Sequence, residues 1–294
     1  MSLRYFLLLA GLAAAPAARA QTTVSLGLRL GGNLASRSGT DPAVTLTSGN
    51  GTSITNAKQD YRRSALLAPQ FGAVLDVRFG KLAVQPAVLF SQKGVDQRLD
   101  VTSTNTFSPG GGFFTTTTTS DQYHTVSRPN YLEIPINLVY TSGTDHGFQL
   151  FGGPYVAFGM GGRAEYTNEG STKSSSGGFG GGSSNSYYNF STTLFQYKDD
   201  FPGPSASLVS SSPGPYSAFP TPFVASSGFA VARRFDAGLN AGVGYRRGPL
   251  QVQLGYGLGL INQQPGKANF HRDDLPAYYQ RVAQLTATYF VKTK

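Results

Sequence analysis

The most constraining feature of this chain is a two-residue alternation of apolar side chains with glycine or small polar ones, which recurs in eight segments. It is clearest at 234–245, where Phe235, Leu239 and Val243 alternate with Asp236 and a series of glycines. Successive side chains of a β-strand point to opposite faces, so this period predicts strands with one apolar face. The eight segments are 23–32, 67–79, 82–92, 130–140, 147–160, 234–245, 250–261 and 279–291.

The connections between these segments alternate between short and long. Two to six residues join the second segment to the third, the fourth to the fifth and the sixth to the seventh, which is typical of hairpin turns. The long connections are 34–66, 94–129, 161–232 and 262–277. Short turns at one rim and long loops at the other are the pattern of a membrane barrel. We therefore predict an all-β fold, an eight-stranded antiparallel up-and-down transmembrane β-barrel with short periplasmic turns and four long external loops.

The polarity of the two faces separates a membrane barrel from a soluble one. A β-sandwich or a lipocalin-like barrel buries its apolar face and exposes a charged one. Only 13% of the residues here are charged, against roughly 25% in ordinary soluble domains. The face opposite the apolar one is rich in glycine and amide side chains, which suits a narrow polar lumen surrounded by lipid-facing apolar residues. The membrane barrel is favoured, and the lipocalin-like barrel is the alternative.

Aromatic residues fall where the two membrane interfaces of such a barrel are expected, because amphipathic rings prefer interfaces. The predicted aromatic girdle has Phe79, Tyr140, Phe148, Tyr245 and Tyr289 at the short-turn end, and Phe71, Phe90, Phe158, Phe235 and Tyr279 at the loop end. Two aromatic bands are a further feature that is typical of a membrane barrel and that a soluble barrel does not need.

Several of these segments resemble the PorT-like outer-membrane β-barrel proteins of Bacteroidetes, which are related to the small OmpA-type barrels. The resemblance is carried by YLEIPI at 131–136, FGGPY at 151–155, the alternating segment 234–245 and the closing segment 284–290. It covers most of the strands but not the loops. The resemblance implies an outer-membrane location, and it does not imply the secretion role of the protein that named the group.

The first twenty residues have the layout of a secretory signal peptide. Arg4 precedes an apolar run, and Ala18-Arg19-Ala20 forms a small-x-small cleavage site. The run is too short for a membrane-spanning helix, and Pro16 interrupts it. We expect cleavage after Ala20 and an exported mature chain of residues 21–294.

Charged residues on the face opposite the apolar one are the first candidates for function, because the lumen shields them from bulk solvent. The predicted lumen polar network consists of Arg29, Asp76, Arg78, Lys93, Glu133, Arg234, Asp236 and Arg246. Asp76, Arg78 and Arg246 are expected near the periplasmic end, and the other five near the loop-side mouth. Buried charges normally form satisfied networks, so a structural ion-pair network is favoured over a ligand-binding or gating site.

Evidence for catalysis is weak. The chain lacks cysteine, which excludes disulfides, thiolate metal ligands and a cysteine nucleophile. His271 and Asp273 in the last long loop are a weak candidate for a hydrolase site, which needs a base oriented by a third group. A solvated charge cluster is the favoured interpretation, and a metal site there lacks a second histidine. We expect no enzyme activity, no metal and no cofactor.

The long loops are rich in Gly, Ser, Thr and Pro, which predicts mobile, adaptable segments. We expect a monomer in outer-membrane lipid, a non-enzymatic scaffold or surface-binding protein whose loops contact surface polysaccharide, lipid headgroups or another envelope protein. A narrow pore for small solutes and a surface lipid-modifying hydrolase are the alternatives. The net charge of +9 forms no basic run, so nucleic acid is not an expected partner.

Overall fold

The computed structural model describes residues 22–39, 45–50, 53–143, 146–177, 182–193, 195–197, 230–263 and 277–292. The strands within these ranges are β1 (Thr22–Ser38), β2 (Thr45–Asn50), β3 (Ser53–Phe79), β4 (Leu82–Gln92), β5 (Val95–Gly110), β6 (Phe113–Thr141), β7 (His146–Gly177), β8 (Ser183–Thr193), β9 (Phe195–Tyr197), β10 (Ala230–Ala232), β11 (Phe235–Arg247), β12 (Leu250–Gly259) and β13 (Tyr279–Lys292). In this part of the chain no helix is long and apolar enough to cross a membrane. The predicted signal peptide, residues 1–20, lies outside the described residues.

Eight of the strands pair antiparallel into a closed ring. β1 pairs with β3, β3 with β4, β4 with β6, and β6 with β7. β7 then pairs with β11, β11 with β12, and β12 with β13. The last strand returns to the first, where Ser25 lies opposite Lys292 and Ser38 lies opposite Tyr279. Ring neighbours follow one another along the chain, with β2, β5, β8, β9 and β10 inserted in the connections, so closure leaves no open edge in this ring.

The eight ring strands contain the eight predicted segments. Six segments lie wholly within an observed strand, while 234–245 starts one residue before β11 and 250–261 ends two residues after β12. The predicted short turns are also present: Gly80 (φ +62°) begins the β3–β4 turn, and Gly248 (φ +59°) begins the β11–β12 turn. Positive φ is accessible to glycine at no steric cost, which explains its position in both turns.

The apolar face of the ring points outward and the polar face points inward. On β1 the side chain of Leu28 is 72% exposed, whereas its neighbour Arg29 is 5% exposed. The same contrast holds on β12, where Leu254 is exposed and Gln251 and Gln253 are buried. This polarity is the reverse of a lipocalin-like barrel, which keeps its apolar side chains inside.

The ten predicted girdle residues all lie on the outward face, in two bands. At the end with the long connections, the Phe71 and Phe90 ring centroids are 4.9 Å apart, and those of Phe158 and Phe235 are 5.3 Å apart. At the short-turn end, the rings of Phe148 and Tyr245 pack edge to face at 5.4 Å. Each of these is a cross-strand pair of directly opposed residues, an arrangement that stabilises neighbouring strands.

Much of the sequence predicted as long loops is strand instead. Beyond the aromatic band at the long-connection end, β3 pairs with β5, from Ser53 opposite Phe107 to Ala65 opposite Val95. The turn at Gly111 and Gly112 then joins β5 to β6, its partner in a hairpin. β6 and β7 continue side by side to Gly177, with β8 along β7 and β2 along β3. We call the described residues within 45–65, 95–129 and 161–193 the extended sheet. For the residues described there, the predicted loops 34–66 and 94–129 and the first part of 161–232 are therefore corrected largely to paired strands.

The extended sheet was missed because neither of its faces is apolar. Residues 115–119 are five threonines, and their hydroxyls pair across strands, as Thr104 with Thr118 at 3.3 Å and Thr117 with Ser174 at 3.1 Å. Threonine favours strands through its branched Cβ, but a strand that is polar on both faces has no hydrophobic alternation to detect. Residues 198–229 and 264–276 of the predicted loops lie outside the described residues.

Glycine is required inside the ring at Gly153 of β7. A Cβ atom there would overlap the carbonyl oxygen of Ile136 and lie 2.9 Å from the Cα of Asn137 on β6. We expect Gly153→Val to lower the free energy of unfolding by about 1–3 kcal/mol, because overpacking displaces backbone. Urea titration of the folded protein in lipid vesicles measures the change.

The adjacent Gly152 provides the matched control. A Cβ at Gly152 would meet nothing closer than the carbonyl oxygen of Asn240, at 3.4 Å, and it would point to the outward face. Gly152→Val should fold with nearly wild-type stability. Equal destabilisation by the two substitutions would show that the β6–β7 approach is not the constraint.

Candidate functional site

A buried ion cluster fills the lumen near the aromatic band at the long-connection end. Lys93, in the link from β4 to β5, places its Nζ 3.0 Å from Glu133 Oε2 and 3.3 Å from Asp236 Oδ2. These three side chains are at most 1% exposed. Tyr155 donates its hydroxyl to Asp236 Oδ2 at 3.1 Å, and its ring centroid lies 4.6 Å from the lysine nitrogen. We call Lys93, Glu133, Asp236 and Tyr155 the upper cluster.

The upper cluster is extended by an amide from outside the ring strands. Gln263, which follows β12, donates from Nε2 to Asp236 Oδ1 at 3.2 Å and accepts from the Tyr131 hydroxyl at 3.4 Å. The Tyr131 ring also lies under Lys93, with 5.2 Å between the nitrogen and the ring centroid. Two carboxylates and two aromatic rings therefore surround a single ammonium group, an environment that compensates its desolvation.

A second buried cluster lies near the short-turn end. Asp76 of β3 accepts from Arg246 at 2.6 Å and from Gln85 at 2.8 Å, and Arg78 Nε lies 3.4 Å from the same carboxylate. Gln85 and Gln251 exchange two side-chain hydrogen bonds of 3.1 and 3.2 Å across the ring. We call Asp76, Arg78, Arg246, Gln85 and Gln251 the lower cluster. Its contacts join β3, β4, β11 and β12 through side chains as well as through backbone.

Between the two clusters the lumen is almost filled. Arg29 donates to Thr288 at 3.0 Å and to Gln253 at 3.1 Å. A cavity there is lined by Arg29, Glu133, Asn137, Phe151 and other residues. The centre of a water molecule could occupy about 10 Å³ of it. That is roughly the space for one bound water. The described residues that line this cavity therefore nearly fill the ring at this level.

Seven of the eight predicted lumen residues are buried inside the ring, namely Arg29, Asp76, Arg78, Lys93, Glu133, Asp236 and Arg246. The eighth, Arg234, is exposed and is a correction to the prediction. Alternation would place it inward, but it lies in the bend that precedes β11, where its carbonyl oxygen accepts from the amide of Gly159 at 2.7 Å. The strand periodicity does not apply before the strand begins.

The predicted lumen polar network named only charged residues, although amide side chains were expected on the same face. The buried amides and hydroxyls that bond the charges or one another are Gln85, Gln149, Gln251, Gln253, Gln263, Tyr131, Tyr155, Thr141 and Thr288. A signal was available, because most of these residues occupy the polar positions of the alternating segments. Gln263 carried no such signal, since it lies after its strand.

The outward side of the extended sheet, which we call the outer face, is charged. Arg62 lies 2.8 Å from Asp60 and 3.8 Å from Asp100. His124 Nε2 lies 3.0 Å from Asp96 Oδ1, so its acidic partner is Asp96 on β5 and not the nearby Asp121 of its own strand. Charged side chains of β3, β5 and β6 thus form ion pairs on the outer face.

The opposite side of the extended sheet is more apolar near the ring. Tyr123 and Tyr166 stack there with ring centroids 6.3 Å apart, and Leu99 is buried. Burial, followed by the Asp121 carboxylate, raises the pKa of Tyr123 to about 12. Burial also raises the pKa of the Asp121 carboxyl. These groups belong to a partly desolvated inner surface above the lumen.

The tip of the β5–β6 hairpin exposes phenylalanine rings. Phe107 is 46% exposed and Phe113 is 49% exposed, on either side of the glycine turn. Phe114 is also exposed, and its ring lies where a Cβ of Gly177 would be. Exposed rings beside hydroxyl ladders form an amphipathic surface of the kind that contacts sugars or proteins.

The predicted weak catalytic pair, His271 and Asp273, lies outside the described residues. In the ranges that are described, no group of three His, Cys, Asp or Glu side chains is arranged to hold a metal ion.

The closed ring, its apolar outer surface and its polar lumen agree with a family comparison. A family model described as "Outer membrane protein beta-barrel domain" matches residues 19–263. The chain belongs to this family. The match includes seven of the eight ring strands, and only β13 lies beyond it. This outer-membrane β-barrel protein is therefore all-β and antiparallel, and the outer membrane is its location.

Other comparisons of this outer-membrane β-barrel protein are less informative. No curated protein sequence matches the chain. Among solved structures, "CymD monoaromatic hydrocarbon channel" has 10% identity and a TM-score of 0.17, over 96% of this chain and 93% of that one. The Pseudomonas putida toluene transporter TodX has 7% identity and a TM-score of 0.17, over 92% and 90%. The Acinetobacter baumannii outer membrane channel DcaP has 9% identity and a TM-score of 0.18, over 92% and 97%.

Proposed function

We propose that this protein is a closed, non-enzymatic scaffold of the cell surface that binds an envelope component through its extended sheet. The eight-stranded ring crosses the outer membrane as an up-and-down barrel, with the short turns in the periplasm and the extended sheet outside. The supporting observation is the contrast between the two regions. The lumen is occupied by paired charges and amides, whereas the extended sheet presents exposed rings and hydroxyls. The resemblance to PorT-like proteins implies an outer-membrane location, which fits this arrangement.

The closed lumen has a direct electrical test. Ion-paired side chains that fill the bore should prevent solute passage, so the wild-type protein in planar bilayers is expected to give no steady conductance steps. A shift in gel mobility between boiled and unboiled samples shows that the inserted protein is folded. Steady steps from folded protein would overturn the closed scaffold and support the alternative of a narrow pore.

The orientation can be tested with single cysteines, because the chain has none of its own. Ser108→Cys lies at the tip of the extended sheet, and Lys81→Cys lies in the β3–β4 turn, where residue 81 is exposed. In intact cells a membrane-impermeant maleimide should label the first and not the second. The reverse pattern would show that the extended sheet faces the periplasm.

The hairpin tip is the surface expected to bind the partner. Replacing Phe107 and Phe113 together by serine should weaken binding of purified surface polysaccharide by about tenfold or more, because exposed aromatic anchors contribute most of such contacts. The binding is measured by interferometry with the protein in lipid nanodiscs. Tyr187→Ser, which changes an exposed aromatic residue on β8, away from the hairpin tip, is the control.

Binding that survives the double substitution would remove the hairpin tip from the interface. Wild-type protein that binds no polysaccharide would direct the search to an envelope protein, for which cross-linking from Ser108→Cys in intact cells is the assay. A hydrolytic activity on outer-membrane lipid would contradict the non-enzymatic proposal.

A further inference from the structure

Two pairs of arginines lie directly opposite each other on the outer face. Arg62 of β3 is the register partner of Arg98 on β5, and Arg128 of β6 is the register partner of Arg163 on β7. Directly opposed residues have Cβ atoms about 5 Å apart, and like charges in such positions destabilise the pairing. Each pair therefore needs negative charge nearby.

The first pair obtains that charge within the protein. Arg62 has Asp60 at 2.8 Å and Asp100 at 3.8 Å, and Arg98 has Asp96 at 3.9 Å. Three carboxylates thus compensate two guanidinium groups. The rows of acidic and basic side chains alternate along this part of the outer face.

The second pair obtains only one carboxylate. Arg163 has Glu165 at 3.0 Å, with the arginine side chain 65% exposed, and the described residues provide no ion pair for Arg128. The two directly opposed arginines therefore carry an uncompensated positive charge on the outer face. Guanidinium groups bind phosphate with two parallel hydrogen bonds, which makes a phosphate oxyanion the matching ligand.

The position of the second pair narrows the kind of ligand. Arg128 is four residues along β6 from Leu132, which lies opposite Phe90 and Phe158 of the aromatic band. For a tilted strand this separation corresponds to a height of about 10 Å above the band. The apolar side chain of Met160 is exposed on β7 between the arginines and the band. Positive charge thus lies above an apolar surface, at the level of lipid headgroups.

We propose that Arg128 and Arg163 bind a phosphate group of a phosphorylated glycolipid in the outer leaflet, with its acyl chains along Met160 and Phe158. This inference rests on the proposed function, because it requires the extended sheet to lie outside the cell. The bound phosphate would offset the repulsion between the two arginines and fix the barrel's immersion depth.

The test compares two matched arginine pairs in the full-length protein. Binding of phosphorylated and dephosphorylated lipid A is measured by native mass spectrometry of the folded protein in detergent micelles. Wild type should retain the phosphorylated lipid and not the dephosphorylated one. Arg128→Gln with Arg163→Gln should weaken retention by about tenfold or more, because two charge-assisted contacts are lost. Arg62→Gln with Arg98→Gln should leave it unchanged.

Three results would overturn the proposal. They are unchanged binding by the Arg128 and Arg163 double variant, equal binding of the dephosphorylated lipid, and inorganic phosphate binding as tightly as the lipid. The last would assign the site to a free anion. Micelles have no sidedness, so a failure here would leave the proposed function intact. A conducting wild type would contradict only the proposed function, whereas reversed cysteine labelling would contradict both.

Discussion

Lys93→Met should lower the free energy of unfolding by about 3–5 kcal/mol, because removing one member of a buried ion cluster leaves the others uncompensated. Glu133 and Asp236 both lie within 3.3 Å of the lysine nitrogen, and methionine retains the length of the side chain without the charge. The two carboxylates would then face each other in a lumen with little room for water. Urea titration in lipid vesicles, followed by the mobility of unboiled protein on gels, measures the loss.

Two further variants separate charge from packing in this result. Lys81→Met removes an exposed lysine from the β3–β4 turn and should leave the unfolding midpoint near that of wild type. The triple variant Lys93→Met, Glu133→Gln and Asp236→Asn removes all three charges and should recover much of the stability, since replacing every partner avoids orphaned charge. A triple variant as unstable as Lys93→Met alone would refute the charge explanation.

Asp76→Leu should have a comparable effect at the other end of the lumen. The Asp76 carboxylate is the acceptor for Arg246 at 2.6 Å and for Gln85 at 2.8 Å, and Arg78 lies beside it at 3.4 Å. Its removal deprives buried Arg246 of the carboxylate that it contacts most closely, a loss of about 3–5 kcal/mol for a pair of this kind. The same urea titration reports the change.

Asp100→Leu is the matched control for this second prediction. Asp100 also lies near an arginine, but the pair is on the solvent-exposed outer face at 3.8 Å, where ion pairs contribute little. Adding Arg246→Met to Asp76→Leu should restore part of the lost stability. If Asp100→Leu and Asp76→Leu destabilise equally, burial in the lumen is not the source of the effect.

The ring could be predicted from the sequence because its two faces differ in polarity. Leu26, Leu28 and Leu30 alternate with glycine and arginine, and such a pattern permits one register and one orientation. The extended sheet could not be predicted in the same way. Thr116 and Thr117 point to opposite faces of β6, yet both are threonine, so the sequence carries no sign of which face is which.

The lumen clusters, like the fold, could be predicted only in part. Asp76 was recognisable as a lumen residue from its position in an alternating segment, and Arg246 from the position directly after one, but their contact joins residues 170 positions apart. Pairing at that separation depends on the ring closing at one particular register. The exposed side chain of Arg234 shows the limit of the method, because a residue in the bend before β11 is not subject to the alternation of the strand.

The closure between β1 and β13 also sets when this protein can become a finished barrel. Arg29 of β1 donates a hydrogen bond to Thr288 of β13, which is 259 positions later in the sequence. β1 therefore cannot complete its pairing until β13 has been synthesised. Until then the unfinished sheet has two open edges, which can pair with other chains. Such distant contacts form slowly because the intervening chain must first be brought together. The interval in which the cell must shield this protein from aggregation therefore ends only with the arrival of its C-terminal strand.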